Sequence, residues 1–272
     1  MPSEDYGIQM LNRPGLHLPT TDLQALQASL RDLGARCLNP VPNYQVFSTD
    51  LSSAFDDKVL AIARQGDEVV AFAAAVVLPI TGRADPVVHS GLTVVHPDHR
   101  RSSGLTQLLF GNIFLAVLGE FPRGVWFTTL AEVISSLVHI SKYAVDVFPS
   151  PRWEAEHGRL DRPRGTHVAI AREISRVHRG AMAISPAAEF DEATFVFRGS
   201  NDFAEGRPFM KDVDDPAYWH RDRETSRFYR RLFRKNKGDE VLLVGFLDPD
   251  HVRRVAMGPV FKDDWGDKFS KL

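Results

Sequence analysis

The residues whose types and spacing could do chemistry run from Leu92 to Leu109: Leu-Thr-Val-Val-His-Pro-Asp-His-Arg-Arg-Ser-Ser-Gly-Leu-Thr-Gln-Leu-Leu. An apolar strand stops at Pro97. A short turn then carries Arg100, Arg101, Ser102, Ser103 and Gly104, and a helix starts at once with Leu105 and Thr106. A helix that begins in a turn holds its first backbone N–H groups outside its own ladder, and its dipole favours negative charge there. Gly104 has no Cβ to keep a phosphate at a distance, and the two arginines add charge-assisted donors. This combination points to a bound anion, a phosphate above all. The competing account is a plain strand–turn–helix with solvated arginines, and it suffices for the arginine pair taken alone. Neither GxxxxGK nor GxGxxG occurs, so P-loop and Rossmann cradles are excluded on spacing.

The elements around this turn follow from periodicity. Ile8–Leu11 reads as a short strand. TTDLQALQASLRDLG reads as a helix, with Thr20 or Thr21 as N-cap, Leu23, Leu26, Leu30 and Leu33 as its apolar stripe, and Gly34 as its end. NPVPNY is a loop, and Ser48 opens a second short helical stretch, STDLSSAFDDK. Residues 59–64 and 68–77 form a hairpin across Gly66-Asp67, and the second strand is apolar on both faces. Residues 87–95 make another two-sided strand, 105–119 a helix, 125–130 a strand and 133–144 a helix. This order predicts a three-layer α/β domain whose last two strands are parallel.

Beyond it, 148–166 reads as a linker or covering loop. A helix at about 167–179, a strand at 194–199, a helix from Pro216 capped by Asp215 and a strand at 240–247 follow. The tail FKDDWGDKFSKL reads as frayed. Two domains are expected, 1–150 and an α+β extension, 151–272, packed on it.

Composition excludes whole classes. The 272 residues are 43% hydrophobic and 25% charged, an ordinary globular balance that rules out a disordered or fibrous chain. With 33 basic and 35 acidic residues the net charge is −2, so no general field draws nucleic acid or an anionic membrane. Cys37 is the single cysteine, which excludes an intrachain disulfide and a cysteine zinc site. The apolar run from Val69 to Ile80 is too short to span a membrane. MPSEDYGIQML has neither the basic nor the apolar part of a signal peptide. A cytosolic protein is expected.

The turn also resembles a known signature. Val95-His96-Pro97, then Arg101-Ser102-Ser103-Gly104-Leu105-Thr106, is similar to the coenzyme A motif of the GNAT N-acyltransferase superfamily: a V-x-P strand end, then [Q/R]-x-x-G-x-[G/A]. The resemblance spans about residues 1–150. It departs at Thr106, where a smaller residue is usual, and in a Pro97–Gly104 spacing one residue longer. It implies a mixed central sheet with a splayed parallel strand pair, 87–95 and 125–130. Pantetheine would bond the backbone of Thr93, Val94 and Val95, and the pyrophosphate would meet the amides of about 101–106. A backbone N–H would stabilise the oxyanion as the acyl group passes to an amine.

The same resemblance directs the search for a base and an acid. Glu132, just past the 125–130 strand, is the base candidate, against a helix-start carboxylate favoured by the dipole. The family's acid is often a tyrosine on the helix matching 133–144. Aligning on Lys142 puts Ile140 at that position, and Tyr143, one helical turn on, is the acid candidate against a packing role. His89 and His139 are alternatives for the base; His96 and His99 shape the turn. No metal is expected.

The implied reaction is acyl transfer from acetyl-CoA, or another acyl-CoA, to a primary amine of a small molecule or peptide. A longer acyl group or an acyl carrier protein as donor, and a non-catalytic CoA-binding sensor, stay open. So do a second copy of the chain as partner and the basic run Arg221–Lys237 as a docking face, although an amphipathic helix with solvated arginines explains that run too. Neither nucleic acid nor membrane is expected as partner.

Overall fold

The structure is a computed structural model that describes residues 6–51, 54–100, 104–158, 163–203, 211–235 and 237–256. The chain is mixed α/β and divides into two compact units. The first comprises the described parts of Met1–Leu78 and Val88–Pro122, and the second Pro79–Val87 with Arg123–Val255.

In the first unit, β1 (Gly7–Asn12), β2 (Lys58–Gln65), β3 (Glu68–Leu78) and β4 (Val87–Val95) lie in that order in the sheet. Gln65 pairs with Glu68, so the hairpin loop is Gly66-Asp67, with Gly66 at φ +59°. This is the expected connection. Helix α1 (Thr20–Cys37) buries Leu23, Leu26, Leu30 and Leu33 against Leu60, Ile62, Phe72 and Ala74 on one sheet face. The alternate residues, Ala61, Ala63, Ala71 and Ala73, are small and fully buried, and α2 (Leu105–Glu120) packs against these same two strands. Two-sided burial of β3 is what its continuous apolar run requires.

Two expectations fail here. Helix α1 does not stop at Gly34 but runs three residues further, to Cys37. Gly34 is a contact residue instead: a Cβ there would lie 2.8 Å from Phe47 Cζ. No side chain caps its start either, since the N-cap is Pro19. The described residues of 48–57 form irregular backbone and a turn at 54–57 rather than a helix. Lys58 already belongs to β2, and a 3-10 turn at Gln45–Phe47 precedes the segment. Phe47 and Phe55 are fully buried under α1, so packing has fixed this segment against its helical pattern.

In the second unit, β5 (Val125–Ala131) is followed by α3 (Ile134–Tyr143), β6 (Val145–Phe148), α4 (Pro151–His157) and α5 (Gly165–Val177). Short strands β7 (Glu189–Asp191) and β8 (Val196–Arg198), helix α6 (Arg223–Arg230), β9 (Glu240–Leu247) and α7 (Pro249–Ala256) complete it. The apolar strand β9 is central: antiparallel to β5 on one edge, and to β6 and β8 on the other. This pairing disposes of the edge that a two-sided apolar strand would otherwise expose.

The stretch 148–166 is not simply a linker, because Ser150 Oγ accepts the Trp153 N–H and starts α4. The helix expected from Pro216 is a single 3-10 turn, Pro216–Tyr218, capped by Asp215. The chain then re-enters a helix at α6, where Asp222 accepts the Thr225 N–H. The tail 261–272 lies outside the described residues. Among the described residues no helix is long and apolar enough to cross a membrane.

Candidate active site

The phosphate turn belongs to the first unit. Strand β4 ends at Val95, and His96 Nδ1 accepts the Asp98 N–H to cap a 3-10 turn, Pro97–His99. The Tyr6 hydroxyl bonds His99 Nδ1 at 2.9 Å, so both histidines shape the turn, as expected. Arg100 is exposed and folds its Nε back onto Val95 O, at 3.0 Å. Arg101, Ser102 and Ser103 lie outside the described residues.

Gly104 is the N-cap of α2 and sits at φ +65°, ψ 9°, in the left-handed region. A Cβ there would meet only Gln107 Oε1, at 4.0 Å. The glycine is therefore required by the backbone rather than by a neighbouring side chain. The helical ladder begins with Leu108 N–H donating to Gly104 O at 3.0 Å. Thr106 is half-buried and Leu105 buried.

Of the strand backbone expected to meet pantetheine, Thr93 is exposed, Val94 buried and Val95 half-buried. The Val95 carbonyl already accepts Arg100 Nε and faces Cys37 Sγ at 3.5 Å. Three residues before Val95, the Leu92 N–H donates to Gln45 Oε1 at 3.1 Å. Gly91 makes that approach possible: a Cβ there would come within 2.4 Å of the same oxygen.

The acid and base candidates belong to the second unit. Glu132 follows β5 and is 3% exposed. Its Oε2 accepts the Lys211 N–H at 3.0 Å and Asn201 Nδ2 at 3.4 Å, while its Oε1 is buried without a partner among the described residues. Burial pushes its carboxyl up to about 7, helped by the Asp239 charge and opposed by those two hydrogen bonds. A carboxyl poised near neutrality suits proton abstraction.

Tyr143 ends α3 and is 3% exposed, with its ring edge-on to His139 at a centroid distance of 4.8 Å. Burial raises its phenol to about 12, so it stays protonated, as a proton donor must. Burial also lowers His139 to about 4, which keeps that imidazole neutral. His89 is buried within β4. Glu132 and Tyr143 have different neighbours: Glu132 is held by Asn201 and Lys211, Tyr143 by the α3 packing.

The sequence reading missed the acids around Glu132. Asp239, fully buried, pairs with Arg234 at 2.8 Å and with Arg198 at 3.2 Å. Glu240 Oε2 accepts the Ser200 hydroxyl at 2.6 Å. A glutamate opening a strand as apolar as EVLLVGFL was the available signal. The basic run, by contrast, is partly neutralised: Arg230 meets Asp214 at 2.5 Å, Arg231 meets Glu154 at 2.8 Å, and Lys235 meets the same Asp214 at 3.3 Å. Phe228, Tyr229 and Phe233 are buried. No group of three or more metal-ligating side chains is found among the described residues.

No family model matches the chain, and no curated protein matches it. Solved structures do show partial likeness. The Escherichia coli ribosomal-protein-S18-alanine N-acetyltransferase is 11% identical, with 89% of this chain and 95% of that chain covered at a TM-score of 0.39. Escherichia coli ElaA is 18% identical, with 53% and 92% covered at 0.37. AAC(6')-Iy, in complex with the bisubstrate analogue CoA-S-monomethyl-acetylneamine, is 18% identical, with 50% and 88% covered at 0.35.

Proposed function

We propose that the chain is an acyl-CoA-dependent N-acyltransferase, with acetyl-CoA as donor and a primary amine of a small molecule or peptide as acceptor. The observation that carries this reading is the junction of β4 and α2. A Val-x-Pro strand end leads into a turn whose last residue, Gly104, holds the left-handed conformation at a helix N-terminus. Such a terminus attracts the pyrophosphate of coenzyme A, and Arg100, four residues before Gly104 in the chain, is exposed. Arg101, Ser102 and Ser103 would complete the cradle.

In this reading residues 1–150 carry the acyl-CoA site and 151–272 the covering extension. Glu132 takes a proton from the acceptor's ammonium group, which frees the nitrogen lone pair for attack on the thioester carbonyl. A backbone N–H steadies the oxyanion, and Tyr143 protonates the departing thiolate. The burial that raises Glu132 supports its part as a base.

Calorimetric titration with CoA, acetyl-CoA and longer acyl-CoAs, run beside an amine acylation assay, tests the proposal. Micromolar binding with turnover is expected, and failure to bind any CoA species would overturn it. Binding without turnover would favour the second reading, a CoA sensor. That reading is encouraged by Ile140, buried where the family places a tyrosine.

A further inference from the structure

Among the described residues, the acidic cluster of the second unit holds more carboxylate than its neighbours neutralise. Glu132, in a bend just after β5, and Glu240 each lie one residue beyond the last β5–β9 pair, Ala131 with Val241. Like charges brought together at such a strand end repel, and the Glu132 charge raises the Glu240 carboxyl. Both side chains are buried. The third acid, Asp239, is matched by Arg198 and Arg234 and by the amides of Gly199 and Arg234. Despite its burial, these bonds hold it below the ordinary carboxylate range.

The two glutamates have no such support. Among the described residues Glu132 receives a backbone N–H from Lys211, whose charge also favours ionisation, and the amide of Asn201. Glu240 receives the Ser200 hydroxyl and a hydrogen bond from that same Asn201 side chain. Asn201 thus bridges the pair. Its own Oδ1, like Glu132 Oε1, is buried with no partner among the described residues. Both orphans are acceptors, so what the cluster lacks is a hydrogen to donate. Leaving them unmatched costs free energy that a single carboxyl proton can recover.

We propose that Glu132 and Glu240 are one proton-sharing pair bridged by Asn201, in which Glu240 is the positioning residue that sets the proton affinity of Glu132. Two neighbouring carboxyls in a buried site cannot both ionise readily, and their protons leave in two steps that belong to the pair. Burial is the main cause that lifts both groups to about 7, and the Glu132 charge adds to the rise at Glu240. The inference deepens the acyl-transfer reading, in which Glu132 is the base. As the ammonium N–H bond breaks, its electron pair stays on nitrogen and the proton forms an O–H bond on Glu132. That proton then leaves to water before the next turnover. Glu240 keeps Glu132 from ionising so readily that it would be too weak a base.

The test uses the full chain labelled with carbon-13 at glutamate carboxyls, titrated from about pH 4 to about pH 9 without substrate. Two carboxyl resonances with midpoints near neutrality are expected. In Glu240→Gln the Glu132 midpoint should fall by about one pH unit or more, as expected on removing a close like charge. The acid limb of kcat/KM should fall with it. Glu132→Gln should lower the Glu240 midpoint likewise, and it serves if the first variant does not fold. A purely structural glutamate would change stability without moving its neighbour's titration. Midpoints that stay put in both variants, or no carboxyl titrating near neutrality, would overturn the proposal. If the midpoints move as stated but no acyl-CoA is consumed, the pair stands and the acyl-transfer reading falls.

Discussion

Replacing Glu132 by glutamine should stabilise the protein above neutral pH and change it little in mild acid. The carboxyl is lifted from an ordinary 4.5 to about 7, chiefly by burial. At about 1.4 kcal/mol per pH unit, keeping it charged in the fold costs at most roughly 3 kcal/mol. The sign follows from proton binding. Between the unfolded value and about 7 the native state holds the proton that the unfolded chain has released, so stability falls as pH rises through that window. Below it both states are protonated and the cost vanishes. Glutamine is never charged, and its oxygen can still accept from Lys211 and Asn201. Exchanging a charged acceptor for a neutral one returns about 1 kcal/mol of the gain. The net expectation is about 2 kcal/mol of added stability near pH 8 and close to none near pH 5. Urea unfolding of both proteins at those pH values and one between gives the comparison directly. A variant as destabilised at about pH 8 as at about pH 5 would refute the argument, because the carboxyl would then be bearing no ionisation cost.

Three further outcomes follow from single positions. Gly104→Ala should cost roughly 1–2 kcal/mol in thermal unfolding through its left-handed backbone alone, and Gly104→Asn clearly less, because asparagine tolerates that conformation. Gly104→Val therefore strains the fold as well as the cradle, and the asparagine variant is the cleaner probe of CoA binding. Gly34→Ala should destabilise by about 1–3 kcal/mol, despite better helix propensity, because its Cβ meets the Phe47 ring. Helical glycine to alanine at an open site does the opposite, so a stabilised protein would contradict that contact. Tyr143→Phe should lower kcat about tenfold or more with CoA affinity intact if the phenol protonates the thiolate, and unchanged kcat would leave Tyr143 as a packing residue.

How much of this could be read from the chain alone varies by element. The hairpin at 58–78, strand β4 with its stop at Pro97, helix α2 and strand β9 were all legible, because each carries its own periodicity and its own punctuation. The leucine stripe of α1 was legible for the same reason. The start of α2 directly after Gly104 was legible too, since a glycine and a helix start are neighbours in sequence. The failures share a different character. Gly34 reads as a helix end until the Phe47 ring is found against it. Residues 48–58 read as helical until Phe55 is drawn beneath α1.

The candidate base shows the same divide most clearly. Sequence alone put a carboxylate just beyond a strand, and nothing local could say whether it was solvated at a helix start or buried. The β5–β9 register, which joins Ala131 to Val241, brings the start of β9 to Glu132, and the turn after β8 brings Asn201, both from far along the chain. Periodicity tells a strand which of its faces is buried. It cannot tell that strand which partner will lie beside it, because pairing is chosen by the whole sheet. Burial is the chief cause of the raised Glu132 carboxyl, and burial follows from that pairing, so tertiary structure alone decided it.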